Sequence, residues 1–240
     1  MSILTTEQIE GRYFGNSSGF LPASADENDR IEYATEIKDY KGEDQLCIWC
    51  TQLDSFGYRE RDKKRILAEW IDFLRTNTKA FKALHFCTRV PQALFDASCC
   101  QERIVELRFK WGPYSDLSSL ENLPQLRYLY LGSCPGVRDI TSLGKLKSLV
   151  VLYVENMKRI EDYSPLTALS QLEQLIISGP TLGVTPIKDL EFLREMPNLL
   201  SIWIPNTTIR RKYTAEELAD LRAALPKLHA IYGCIWKQTG

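Results

Sequence analysis

The sequence predicts an α/β solenoid, with a parallel β-sheet along the concave side of a curved stack and short helical or 3-10 returns on the convex side. Three observations carry this. An apolar triplet, Leu126, Leu129 and Leu131, recurs as Leu149, Leu152 and Val154 and again as Leu172, Leu175 and Ile177, in steps of 23 residues (126 to 149 to 172). A second apolar set spaced by three lies between the triplets, as in Leu117, Leu120 and Leu123 or Ile140, Leu143 and Leu146. Asp116, Asp139 and Asp162 stand where each such turn would begin, placed to accept hydrogen bonds from its free N–H groups. A fixed period of this length means stacked supersecondary units, each burying its apolar face against the next.

The elements follow in order. Residues 21–45 carry eight acidic side chains against three basic ones with only scattered hydrophobes, so residues 1–44 are expected to be an acidic, loosely attached segment. Residues 45–80 are expected to form an N-terminal cap: QLCIWC (45–50) reads as a strand, and DKKRILAEWIDFLR (62–75) places Ile66, Leu67, Trp70, Ile71 and Leu74 on one helical face. Residues 81–240 hold seven rungs, with Phe81, Leu84, Phe86 and Ile104, Leu107, Phe109 upstream of the central three, and Leu199, Ile202, Ile204 and Leu228, Ile231, Gly233 downstream. The last two repeats lengthen and predict true α-helical returns, the final one opened by a capping box of Thr214 and Glu217. The terminal GCIWKQTG is expected to shield the end of the stack.

The stretch LRYLYLGSCPGVRDITSLGKLKS resembles the leucine-rich-repeat family, closest to its 22-residue, internalin-like bacterial class, with Cys134 at the family's Asn/Cys position. The resemblance spans residues 81–240 and implies a right-handed leucine-rich-repeat horseshoe. Gly112, Met157, Pro180 and Thr207 occupy the Asn/Cys position in other rungs, so no continuous ladder of Asn side chains is expected and the coils should be irregular there. Among such proteins, immunity proteins that neutralise a cognate toxin offer one concrete function and adaptors in larger complexes another.

If the triplet points inward, strand alternation sends its intervening residues to the concave surface. The central column reads His85, Arg108, Tyr130, Tyr153, Ile176, Trp203 and Tyr232, flanked by Glu106 and Tyr128 on one side and Lys110 and Glu155 on the other. Aromatic side chains bordered by short ones and a few charges suit a protein-binding surface about 29 Å long, since Tyr and Trp bury large areas at small entropic cost. Mutual stacking of Tyr130 and Tyr153 on neighbouring rungs is the plainer explanation of the same pattern. The expectation is an exposed ridge that binds one protein partner, for example a toxin, on a chain that is monomeric when free.

Composition narrows the alternatives. The 240 residues include 44% hydrophobic side chains, and 30 basic against 31 acidic groups leave a net charge of −1, which disfavours nucleic acid and anionic membrane as partners. No secretory signal or membrane span is expected, and seven scattered cysteines suit a reducing, cytoplasmic setting. Cys47 and Cys50 form a C-x-x-C that His85 and Cys87 could complete as a zinc site or thiol enzyme, but on a strand residues three apart face opposite sides. The reading from sequence is therefore no catalytic residue, no metal and no cofactor, with this cysteine set as the alternative of another class. The Arg210, Arg211 and Lys212 run reads as a solvated loop.

Overall fold

The structure, a computed structural model, describes residues 31–232. Its main feature is one parallel sheet of nine strands: β1 (Glu32–Ala34), β2 (Gln45–Ile48), β3 (Ala83–Arg89), β4 (Glu106–Trp111), β5 (Tyr128–Leu131), β6 (Val151–Glu155), β7 (Gln174–Ser178), β9 (Ser201–Trp203) and β11 (Ala230–Tyr232), adjacent in that order. Strands β8 (Thr185–Ile187) and β10 (Thr207–Ile209) make a separate two-stranded parallel sheet. The sheet is ruled by its register: Leu84, Leu107, Leu129, Leu152, Leu175 and Ile202 lie side by side across six strands. One residue of slip would exchange the two faces of a strand, so this apolar row and the row Phe86, Phe109, Leu131, Val154 specify the stacking.

The returns between strands are five-residue 3-10 helices at Ser118–Asn122, Thr141–Lys145, Ser164–Ala168 and Glu191–Glu195. Each begins as the spacing of aspartates predicts. Asp116 accepts from the Ser118 N–H at 2.8 Å, Asp139 from Thr141 at 2.8 Å and Asp162 from Ser164 at 2.9 Å. Asp189 does the same for Glu191 at 3.0 Å, a fourth member of the series. These amide bonds hold the carboxyls of Asp116 and Asp162 below the usual range, and at Asp139 the Thr141 hydroxyl adds to the effect.

Two returns are α-helical: α2 (Gln92–Ser98) and α3 (Ala215–Ala223). In α3 the Glu217 N–H donates to the Thr214 hydroxyl and the Thr214 N–H to the Glu217 carboxylate, the expected reciprocal cap. The expectation of a second long helix in the penultimate repeat fails. Glu191–Glu195 stays a 3-10 turn, and the extra residues form the loop and strand up to Ile187 that pairs with β10.

The N-terminal cap adds two rungs to the sheet. Strand β2 pairs with β3 in the same register as the repeats, Leu46 beside Leu84 and Ile48 beside Phe86. The helix of the cap, α1 (Glu60–Thr76), carries Glu60 and Asp62 in its first turn and Arg75 in its last, complementing its dipole, and buries Ile66, Trp70 and Leu74. Residues 31–44 depart from the expected loose attachment. Strand β1 pairs with β2, the Trp70 indole donates to the Thr35 carbonyl at 2.8 Å, and Glu36 receives Arg65 at 3.0 Å and Lys38 at 3.0 Å. Their acidic charge is thus used in local pairing. Residues 1–30 and the terminal GCIWKQTG lie outside the described residues.

Leu152→Ala, which removes a fully buried side chain at the middle of the register row, is expected to cost about 2–5 kcal/mol in denaturant unfolding. The Arg65 and Lys38 contacts hold the Glu36 carboxyl below its ordinary 4.5. That stabilisation is present above the unfolded-state pKa and is lost as pH falls through the depressed folded value. Wild type should therefore lose more Tm than Glu36→Gln between about pH 5 and about pH 3.

Candidate functional site

Alternation along the strands produces two clusters on opposite faces of the sheet. Leu107, Leu129, Leu152, Leu175 and Ile202 pack toward the returns in the main core, whereas Tyr128, Tyr130, Val151, Tyr153 and Ile176, with Trp203 against them, form a second apolar cluster. All described members of the second cluster lie on the strands or directly precede one. The central column of this face is longer than the repeats alone suggest. Register places Tyr33 beside Cys47, Cys47 beside His85, and then Arg108, Tyr130, Tyr153, Ile176, Trp203 and Tyr232 in sequence.

The contiguous column is as expected, but its exposure is not. Tyr130 is 2% exposed, Tyr153 6% and Ile176 0%, and His85, Glu106, Arg108 and Tyr128 are buried as well. The physical reason lies partly in the pairing of the rings. In-register neighbours stand about 4.8 Å apart, and the Tyr130 and Tyr153 rings close to 4.6 Å between centroids with 59° between planes. The Arg108 guanidinium lies 5.6 Å from the Tyr130 ring, and the Tyr130 hydroxyl donates to Glu155 at 2.9 Å. His85 Nε2 sits 2.9 Å from Glu106 Oε1, linking adjacent strands. Burial pushes the Tyr130 and Tyr153 hydroxyls up, the latter to about 12. Away from its middle the column is more open: Tyr33 is 49% exposed and Trp203 is half-buried, while Lys110 at the flank is exposed.

Gly132 makes the Tyr130 to Glu155 contact possible. A Cβ there would meet the Lys110 carbonyl oxygen at 2.1 Å and the Tyr130 hydroxyl at 2.7 Å. The neighbouring row, Glu106, Tyr128, Val151, Gln174 and Ser201, has a different property. The Tyr128 hydroxyl, both polar atoms of the Gln174 amide and the Ser201 hydroxyl are buried with no hydrogen-bond partner. Buried polar atoms are mostly paired; Tyr163, Thr185 and Trp49 carry further atoms of this kind elsewhere, and this row is where three such side chains share one strip of the sheet.

The proposed four-ligand cysteine site does not assemble. Cys50 packs in the main core while Cys47 occupies the opposite face beside His85, the consequence of strand alternation. Cys47 instead meets Cys87, Sγ to Sγ 2.7 Å. No group of three or more metal-ligating side chains occurs among the described residues. The basic run is held down rather than offered to a partner, with Arg210 on Glu161 and Arg211 on Glu191 and Glu217. Reasoning from the repeat missed Tyr33 and Cys47, since 38 residues separate Leu46 from Leu84 and hide the period. It also missed the exposed Leu182 and Val184 in the enlarged penultimate repeat.

No family model matches the chain, and no curated protein matches it. Among solved structures it is similar to internalin C2 of Listeria monocytogenes, at 20% identity over 70% of this chain and 69% of that one with a TM-score of 0.46. It is also similar to the internalin InlF of Listeria monocytogenes, at 19% identity over 66% of this chain and 56% of that one with a TM-score of 0.33. A leucine-rich-repeat protein of Leptospira interrogans matches at 17% identity over 63% of this chain and 49% of that one, with a TM-score of 0.31. The fold assignment rests on the chain's own stacked strands and capped returns, which make it a leucine-rich-repeat solenoid.

Tyr130→Phe removes the hydroxyl bond to Glu155 and is expected to lower stability by about 1–3 kcal/mol in urea unfolding. Gly132→Ala should be at least as damaging, because its clash is with backbone and the strand must shift.

Proposed function

We propose that the chain is a non-enzymatic protein-binding module, working in a reducing compartment, whose concave strand face takes an extended polypeptide segment of one partner. The observation that carries this reading is the row of buried, unpartnered polar groups on Tyr128, Gln174 and Ser201. Each such group costs about 1–3 kcal/mol when left unsatisfied. A polypeptide supplies one N–H and one C=O per residue, the chemistry that would remove that cost along the whole row. Trp203 and Tyr33, the more exposed described members of the adjacent column, would anchor its side chains, with Lys110 and Glu155 favouring one charge pattern over others.

Because the middle of the column is closed in the free chain, binding requires it to open, and association should be slower than about 10⁵ M⁻¹ s⁻¹. A module of this kind acts by occupying its partner. Inhibition, as by an immunity protein that covers a toxin, is the most specific version, and an adaptor uses the same contact without inhibiting.

The test pairs two variants after the partner has been identified by affinity capture. Trp203→Ala should weaken binding by more than about 2 kcal/mol in calorimetry, roughly 30-fold. Gln174→Leu removes an unsatisfied buried amide, so it should raise Tm while weakening the complex. A partner that binds both variants with wild-type affinity would place the interface elsewhere.

A further inference from the structure

We propose that Cys47 and Cys87 form a reversible disulfide that staples the cap strand β2 to the first repeat strand β3 at one end of the concave face. The two sulfurs come from neighbouring strands, 40 residues apart in sequence, and already lie 2.7 Å from one another. Only a small approach separates that contact from the about 2.05 Å of a bond. The strands that carry them are held in register by Leu46 beside Leu84 and Ile48 beside Phe86, and are tied beyond the cysteines by the Thr51 hydroxyl, which donates to the Arg89 carbonyl at 2.6 Å and meets the Thr88 hydroxyl at 2.7 Å. Register sets Cys47 beside His85, two residues before Cys87, so the bridge is diagonal and its closure draws in the segment of β3 after Phe86, where the ladder with β2 has ended and the pairing with β4 is irregular.

The two thiols are unequal in the way such a pair requires. Cys87 is half-buried and reachable, whereas Cys47 is buried. The contact with Cys47, together with the positive charges of Lys110 and Arg108, holds the Cys87 thiol below its ordinary 9.0, and the same contact with burial pushes Cys47 up. Of the other described cysteines, Cys100 is half-buried with its thiol donating to the Asp96 carbonyl at 3.6 Å, and the other three are placed for inertness. Cys50, Cys99 and Cys134 are buried in the main core, and burial raises all three, Cys50 and Cys134 to about 12.

With a hydroperoxide as oxidant, the Cys87 thiolate attacks the terminal peroxide oxygen, the O–O bond breaks, and Cys87 becomes a sulfenic acid as the first water or alcohol departs. The Cys47 sulfur then attacks the Cys87 sulfur, the S–O bond breaks, and hydroxide leaves with the Cys47 proton as water. Two thiols lose two electrons and two protons, and the peroxide is reduced by two electrons. A dithiol reductant reverses the bridge by exchange.

The experiment uses the full chain. Reduced protein is treated with stoichiometric hydrogen peroxide, quenched by alkylation, and analysed by non-reducing peptide mass spectrometry and thermal melting, with and without dithiothreitol. Seven titratable thiols should fall to five, a peptide pair joining Cys47 to Cys87 should appear, and Tm should rise by about 5–10 °C because a long loop is closed. Dithiothreitol should reverse all three. Cys87→Ser and Cys47→Ser should each abolish the linked pair and the Tm rise, while Cys50→Ser and Cys100→Ser should retain both. Oxidation of Cys87 that stops at the sulfenic or sulfinic acid in wild type, or a bridge that persists in Cys47→Ser, would overturn the assignment.

Discussion

The in-register stacking of Leu84, Leu107, Leu129, Leu152, Leu175 and Ile202 is the constraint on which the rest of the molecule depends. A parallel strand has only two faces, so committing these side chains to the core commits their neighbours to the concave side. The aspartate-capped 3-10 returns serve the same register, since each delivers the chain to its next strand after a turn of fixed length. Where a repeat departs from that length, the surplus is taken up away from the main sheet, in β8 and β10, and the strand still enters in register.

The concave face shows how one register serves two chemistries. Rings at identical positions on adjacent strands meet at the strand spacing and bury one another, so Tyr130 and Tyr153 behave as a small core with polar edges. One row over, Gln174 and Ser201 lie on neighbouring strands and stay buried without satisfying each other. Buried polar atoms without a protein partner are costly, and Val151 separates Tyr128 from this pair.

The N-terminal end has its own logic. An open sheet edge must be covered or paired, and here it is extended by two strands, β2 and β1, clamped by helix α1 through Trp70 and Arg65. The joint between cap and repeats is where Cys47 and Cys87 meet, alongside the hydroxyl contacts of Thr51. A thiol pair at that joint couples the cap to the end of the concave column.

Much was legible in the linear order of residues. The 23-residue steps, the triplets, the aspartates before each turn and the Thr214–Glu217 box determine the rungs, their faces and the final helix, because each is a local signal read within a few residues. The concave column at residues 85 to 232 follows from the same alternation. What only the tertiary structure decided are relations between residues far apart in sequence: that Tyr33 and Cys47 extend the column, that Cys47 meets Cys87 rather than Cys50, and that the penultimate surplus forms a strand instead of a helix. The closure of the tyrosine ridge belongs here too, since exposure depends on how neighbouring rings rotate and what packs beside them, and no spacing along a chain encodes that.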